Sequence, residues 1–423
     1  MYVRVCSSSR LQSLVPKAKS NSRQIAVVLL ITGCALLASC GGSDSGRAAV
    51  FHVSISSTQH PLVAQYTVGS GCSGQVMVEF GPDTNYGRST AWYPISGGQP
   101  LTIQVAGMRA STTYHMRSTR QCSGDTATSD DTTFTTGDPP SIPFPVVQVT
   151  RPNPGATPAE NPGIELIDTV APTSNQIQAF FTDRDGNPIW YYDVPPSYYP
   201  FTFKLLPNGH FLFSMGNFDG DTFIREVDLA GNSIRDLGIT ILQQRMQAAG
   251  FNFIPTSYHH DFVPFDNGHV LLLTNVLKDF TDLPGYPGST QVVGDALIEL
   301  DENWNPVWAW NGFDYLDVNR HLYGLPDWTH SNAIVYLPDG NLLLSMRHQS
   351  WVLKIDYNNG TGTGNILWRL GYQGDFSLTN NGVPTSDPSQ WFSFQHFPSL
   401  ISQNGSQMTF ALWDNGDYRP LDT

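Results

Sequence analysis

Short apolar runs separated by turns dominate this chain, and stretches with apolar positions recurring every three or four residues are scarce. One unit shows the plan most clearly: residues 327–355, which read DWTHSNAIVYLPDGNLLLSMRHQSWVLKI. Residues 333–337 and 341–346 are strand-like, and Leu337-Pro338-Asp339-Gly340 between them is a tight turn. Pro presets φ at the first turn position, and Gly accepts positive φ without steric cost. A hairpin returns its two open ends to one place. His330, before the first strand, and Arg347, after the second, are therefore predicted neighbours on the rim away from the turn. An imidazole and a guanidinium held there form a rigid, cationic, donor-rich site for a tetrahedral oxyanion. A structural His beside a surface Arg is the plainer alternative.

The same plan recurs. Residues 205–212 (LLPNGHFL) are one copy. Residues 265–272 (FDNGHVLL) are a second, with His259-His260-Asp261 upstream, and 402–405 (SQNG) a third, with Gln395-His396 upstream. A second half-motif follows three of these hairpins: 224–228 with Gly231, 297–301 with Trp308, and 352–356 with Trp368. Four strands per repeated unit is the pattern of a β-propeller. Blades point equivalent ends at one central channel. His330 lies ten residues before Gly340, His396 nine before Gly405, and His259 and His260 nine and eight before Gly268. These histidines are predicted to converge near the axis.

Turn glycines 209, 268, 340 and 405 are 59, 72 and 65 residues apart. Common blades repeat at roughly 40–50 residues, so long loops are implied, and such loops tend to carry function. Two are aromatic-rich: 315–328, with Tyr315, Tyr323 and Trp328, and 379–394, with Trp391, Phe392 and Phe394. Aromatic walls around a cationic centre suit an aryl substrate; core packing between blades is the alternative for each ring. Residues 239–249 are the best helical candidate.

Composition agrees with an all-β chain of 423 residues: 38 Gly and 30 Pro supply turns, and aromatics reach 12%. The formal charge of −14 argues against a nucleic-acid partner, whose phosphates need a basic face. Residues 1–40 read as a targeting segment, with Lys17, Lys19 and Arg23 before an apolar run at 25–37 that is short for a membrane span. Leu37-Ala38-Ser39-Cys40-Gly41-Gly42 resembles the lipobox of bacterial lipoproteins, in which the Cys is lipidated; a secretory signal without lipid is the alternative. By that resemblance the chain is an exported periplasmic or cell-envelope lipoprotein. Residue 41, which is not Asp, favours the outer membrane, and the lipid anchor is the only membrane contact expected. Residues 41–49 form a polar tether. Of five cysteines, Cys6 and Cys34 leave with the signal and Cys40 carries lipid. Cys72 and Cys122 remain as a pair predicted to form a disulfide in an oxidising compartment.

Residues 50–137 read as a small β-sandwich, with strands at 64–68, 76–80, 101–105, 113–118 and 132–135. The segments VMVEFGPDTNYG, IQVAGMRASTTYHMRS and DTTFTTG resemble a fibronectin type III-like module. The resemblance implies a corner in which a Tyr hydroxyl, here Tyr114, is held against backbone. Residues 138–162 are a Pro-rich linker, and the propeller occupies 163–423.

HHD at 259–261, DWTHSN at 327–332, SMRHQS at 345–350, FQH at 394–396 and WDNGD at 413–417 together resemble the bacterial arylsulfate sulfotransferase family over residues 163–420. The resemblance implies a six-bladed propeller that moves a sulfuryl group from an aryl sulfate donor to a phenolic acceptor. No nucleotide donor, cofactor or metal is needed. His396 matches the family's nucleophile. His330, Arg347 and either His259 or His260 match its sulfate-coordinating residues. Neighbouring strand residues face opposite ways, so one of the doublet is expected inward, with His260 preferred. Neutral imidazole is a competent nucleophile near pH 7, and transfer through it gives ping-pong kinetics. Asp261 could orient a His, and Asn332 and Gln349 could support the site. The family continues beyond its WDNGD-like segment, whereas this chain stops at Thr423 with four clear hairpin repeats and an incipient first one. A truncated C-terminus, with activity in doubt, is therefore one expectation. No Cys pair follows His396. A homo-oligomer is compatible with the reading. Two rival readings stay open: a non-catalytic surface-binding propeller, and a metal-dependent hydrolase or lyase with histidine ligands.

Overall fold

A computed structural model describes residues 52–69, 71–150, 163–169, 175–380, 382–385, 387–405 and 407–417. Residues 1–51, which hold the expected export signal, Cys40 and the expected tether, and the second half of the Pro-rich linker lie outside them.

The first module is a two-sheet sandwich. Val53–Ser57, Ala64–Val68 and Leu101–Val105 make one sheet. Gly74–Gly81 and Thr113–Cys122 pair at the centre of the other, flanked by short strands. Alternation decides what is buried: Ala64, Tyr66 and Val68 face inward while Gln65 is exposed. Tyr66, Val76, Val78, Ile103 and Met116 fill the space between the sheets. A Cys72–Cys122 disulfide, with Cα atoms 6.1 Å apart, joins the approach to one central strand to the end of the other. The Tyr114 hydroxyl accepts the Arg109 backbone N–H at 2.9 Å, which is the corner the resemblance implied.

Five antiparallel blade sheets follow, at residues 165–192, 198–238, 255–311, 331–371 and 396–413, with a small two-stranded hairpin sheet, Leu378–Asn380 paired with Val383–Thr385, between the last two. The second, third and fourth each contain four strands in sequence order. The first has three strands and the last is the pair His396–Asn404 and Gln407–Trp413. Each sheet's first strand packs against the first strand of the next, the arrangement of propeller blades around an axis. Middle strands are covered on both faces. Leu271 and Leu273 pack toward the fourth sheet, while Leu272 packs toward the second. This explains why runs such as VLLL read as continuous rather than alternating. Helix Ile239–Ala248 covers one seam with Leu242 and Met246.

Spacing alone implied long loops, and part of that excess is strand. Val270–Leu283 and Tyr286–Leu300 stay paired out to Leu283 and Tyr286, beyond the reach of their neighbours in the sheet. The ribbon braces the segment that leads to His330. The Val293 N–H donates to the Pro326 carbonyl at 2.8 Å, and the Trp328 N–H donates to the Val293 carbonyl at 2.9 Å. Leu283, Val292 and Trp328 form a small core between the two.

The sandwich docks on the first two blades. Gln104 donates to Asp228 at 2.8 Å and Arg109 to Asp183 at 2.7 Å. His60 is buried against Trp190, with Nε2–H donating to the Tyr191 carbonyl at 2.9 Å.

Candidate active site

Three irregularities at equivalent places aim the site residues. The inner strand Pro255–Pro264 bulges between Tyr258 and Phe262, and His260 sits at φ 49°. His330, just before Ser331–Tyr336, has φ 45°, and Phe394, two residues before the last sheet, has φ 56°. Left-handed backbone is costly for side chains with a Cβ. Here it frees these residues from strand alternation and re-aims them.

The result is a contiguous cluster. The His260 and His330 rings lie 5.0 Å apart, and those of His330 and His348 4.7 Å apart. His348 lies 5.4 Å from the Phe394 ring, over which the Arg347 guanidinium sits at 4.2 Å. Arg347 Nη1 donates to His348 Nε2 at 2.6 Å, and Nη2 to Asp417 at 3.2 Å. His396 is near enough for the charges of Arg347 and His330 to act on it.

Hydrogen bonds settle which nitrogens carry protons. His396 Nδ1 faces two acceptors, the Phe394 carbonyl and Asn415 Oδ1, each at 3.1 Å. Nδ1 must therefore bear the hydrogen, which leaves a lone pair on Nε2. His330 Nδ1–H donates to Asp327 Oδ2 at 2.5 Å, so its Nε2 is the nitrogen left for the site. His348 Nδ1–H donates to the Asp327 backbone carbonyl at 2.6 Å.

Burial keeps the cluster from filling with charge. It drives His260 down to about 3, with His259 and His330 adding to the effect. Burial also lowers His396, aided by Arg347 and His330 and opposed by the bonds to Asn415 and Phe394. His348 is lowered as well, first by burial. These three imidazoles are neutral at pH 7, and Arg347 supplies a fixed positive charge.

The His259-His260 doublet divides its work. His260 meets His330, while His259 Nε2 points at Asn275, 3.1 Å away, and at Asp295, 3.2 Å away. Its Nδ1 lies 2.9 Å from that of His260. Asp295 is fully buried, which alone would raise its carboxyl. Hydrogen bonding from His259 and the Ser331 N–H reverses that and holds it at about 2.

Several sequence expectations change here. Asp261 orients no histidine: it accepts from Lys204 at 2.5 Å and from the Ile334 N–H at 2.8 Å, tying three inner strands together. Asp295 and Asp327 are the carboxylates beside the clustered histidines. Asn332 donates to the Gln395 carbonyl and Gln349 to that of Trp328, so both hold backbone beneath the site. Among the aromatics, Phe394 and Tyr323, whose rings are 4.2 Å apart, belong to the site wall. Tyr315 stacks on Trp310, Trp328 on Phe313, and Phe392 enters the core between the last two sheets. His348, Asp327 and Asn415 were not singled out for roles. The DWTH spacing, an Asp three residues before a His, is the one sequence signal that could have found Asp327.

Asp327, His330 and His348 place three ligand atoms within 4.8 Å of one another. Both nitrogens of His348 are already engaged, one by a carbonyl and one by a guanidinium. The trio is thus organised as a hydrogen-bonded set rather than an open coordination site, and the adjacent Arg347 would repel a cation.

The sequence profile of the Arylsulfotransferase (ASST) family matches residues 134–423, from the last sandwich strand through all five blade sheets. No protein of curated function matches the sequence significantly. Among solved structures, the chain is similar to a protein of unknown function from Bacteroides caccae, 16% identical over 47% of this chain and 74% of that one. The TM-score is 0.22, and so loose a likeness carries no argument.

Proposed function

We propose that this chain, which belongs to the arylsulfotransferase family, moves a sulfuryl group from a phenolic sulfate ester to an acceptor phenol through a sulfohistidine on His396, without a nucleotide sulfate donor. The observation that carries the reading is the state of His396. Its Nδ1–H is bonded to two acceptors and burial lowers its proton affinity, so Nε2 holds an available lone pair at neutral pH.

In the first half-reaction, Nε2 attacks sulfur and the S–O bond to the aryl group breaks. The leaving oxygen takes the bonding pair and a proton from His330 Nε2. Arg347 faces the sulfuryl oxygens, with His260 lining the same side; a fixed cationic donor is worth most there because it needs no reorganisation as charge develops. In the second half, His330 takes the acceptor phenol's proton, the acceptor oxygen attacks sulfur, and the N–S pair returns to His396. Phe394 and Tyr323 offer flat apolar contact to an aryl ring. A lipid-anchored, exported location accords with the sequence of residues 1–40 and with the Cys72–Cys122 disulfide.

The test is purified protein with para-nitrophenyl sulfate and phenol, with and without chelator. Acceptor-dependent, chelator-resistant release is the expected result. Intact-mass measurement after donor alone should show one added sulfuryl group, absent in His396→Ala. No release from any aryl sulfate would favour a binding role, and chelator-sensitive release a metal-dependent one. Wild-type transfer by His396→Ala would remove the nucleophile assignment.

A further inference from the structure

We propose that Asp327 is a positioning residue for proton transfer. It holds the His330 ring with Nδ1 permanently protonated, so that Nε2 alone shuttles the proton between His330 and the phenolic oxygens. The inference rests on the transfer reading above and extends it to a residue outside the matched set of histidines and arginine.

Four observations support it. First, the Asp327 Oδ2 to His330 Nδ1 distance is 2.5 Å, a short charge-assisted bond that selects one tautomer. Second, Asp327 is held from both sides by backbone. Its flanking residues, Pro326 and Trp328, bond the two faces of Val293 in a parallel bridge, and its own carbonyl accepts His348 Nδ1–H. A carboxylate on a floppy loop could not fix a ring; this one is clamped to a sheet. Third, His330 itself is clamped in left-handed backbone, with its carbonyl accepting the Arg347 N–H at 3.2 Å. Fourth, the other groups facing His330 cannot replace the carboxylate. His260 and His348 approach ring to ring, and His396 and Arg347 act as neighbouring donors or charges. Among the described residues, Asp327 is the anion paired with this ring, since Asp295 serves the His259 side and Asp417 pairs with Arg347.

The chemistry demands such a device. A shuttle must give a proton to one phenolic oxygen and take one from another at the same nitrogen. If Nδ1 could lose its proton instead, part of the neutral His330 population would present a protonated Nε2 to an acceptor phenol that needs a base. A carboxylate at Nδ1 removes that population and stabilises the imidazolium that forms in the second half-reaction.

The measurement is kcat/KM for two donors, para-nitrophenyl sulfate and phenyl sulfate, with one fixed acceptor phenol, by the full chain and its Asp327→Asn variant; in a ping-pong scheme this ratio reports the first half-reaction alone. The first donor releases a phenol acidic enough to leave without help; the second, a phenol near the ordinary pKa of about 10, needs the proton. The expected loss for phenyl sulfate is about 100-fold, within the usual range of general acid–base effects, and at most about 5-fold for the nitrophenyl ester. In a His330→Gln background, Asp327→Asn should cost nothing further, because its effect passes through the ring. Asp327→Glu should restore part of the phenyl sulfate rate. Equal losses for both donors, or an additive loss in the double variant, overturn the inference while leaving the transfer reading in place. Absence of acceptor-dependent transfer by the wild type overturns both.

Discussion

Replacing Arg347 with lysine separates charge from geometry. The guanidinium is held three ways: over the Phe394 ring at 4.2 Å, by Nη1 to His348 at 2.6 Å, and by Nη2 to Asp417 at 3.2 Å. Lysine keeps the positive charge but not the planar fork, so it cannot hold His348 and Asp417 at once while stacking on Phe394. Removing one donor aimed at developing charge costs about 100- to 1,000-fold in kcat. Misplacing such a group by about 1 Å costs roughly 100-fold. Arg347→Lys should therefore lower kcat by about 30- to 100-fold, and Arg347→Ala by about 1,000-fold. Because the contact strengthens only as charge builds on the sulfuryl oxygens, kcat and kcat/KM should fall together with KM little changed. Steady-state transfer from para-nitrophenyl sulfate to phenol, with the thermal midpoint as a folding control, gives the answer. An Arg347→Lys enzyme within about 3-fold of wild type would show that charge alone suffices and that the fork has no role. A rise in KM at constant kcat would place Arg347 in ground-state binding.

Three further outcomes follow from the same geometry. Burial lowers His396, so the acid limb of kcat/KM for the donor should have its midpoint below 6.5; a midpoint above 6.5 contradicts the environment described. Burial drives His60 to about 4, so between the ordinary value near 6.5 and that point the unfolded chain binds a proton that the folded chain does not. Stability should thus fall on acidification through that window, by on the order of 3 kcal/mol at pH 4, and His60→Gln should flatten the slope in pH-dependent thermal unfolding. The disulfide closes a loop with a sequence separation of 50, so Cys72→Ser should destabilise the sandwich by about 3–4 kcal/mol, read by denaturant unfolding with and without reductant.

The repeat was legible because turn chemistry and apolar period are local properties. Pro338 and Gly340 mark a hairpin wherever it sits, and the strands around them appear at 331–336 and 342–346. The Tyr114 corner and the helix at 239–248 were legible for the same reason. Side-chain direction was less so. Alternation predicts that one member of the His259-His260 pair faces inward, but a bulge and a positive φ at His260 set where both rings go. Asp261 illustrates the limit. It is adjacent to the doublet in sequence, yet its carboxylate is drawn to Lys204 and to the backbone of another sheet.

From the amino-acid order alone came an all-β chain, a sandwich ahead of repeated four-stranded units, a paired Cys72 and Cys122, and a set of histidines with one arginine at matching places in the repeats. These rest on interactions within a few residues, or on a period that survives without knowing what packs on what. The tertiary structure alone decided that Asp327 holds His330, that Asp295 holds His259, that His348 lies between Arg347 and the others, and that Tyr315 and Phe392 are core. The His259–Asp295 pair joins two strands of one sheet, and Phe392 packs between two sheets. The Asp327–His330 contact, only three residues apart in number, is held in place by the Val293 strand that clamps Asp327. A carboxylate's partner is chosen by desolvation and distance in the folded state, and neither is written in local sequence.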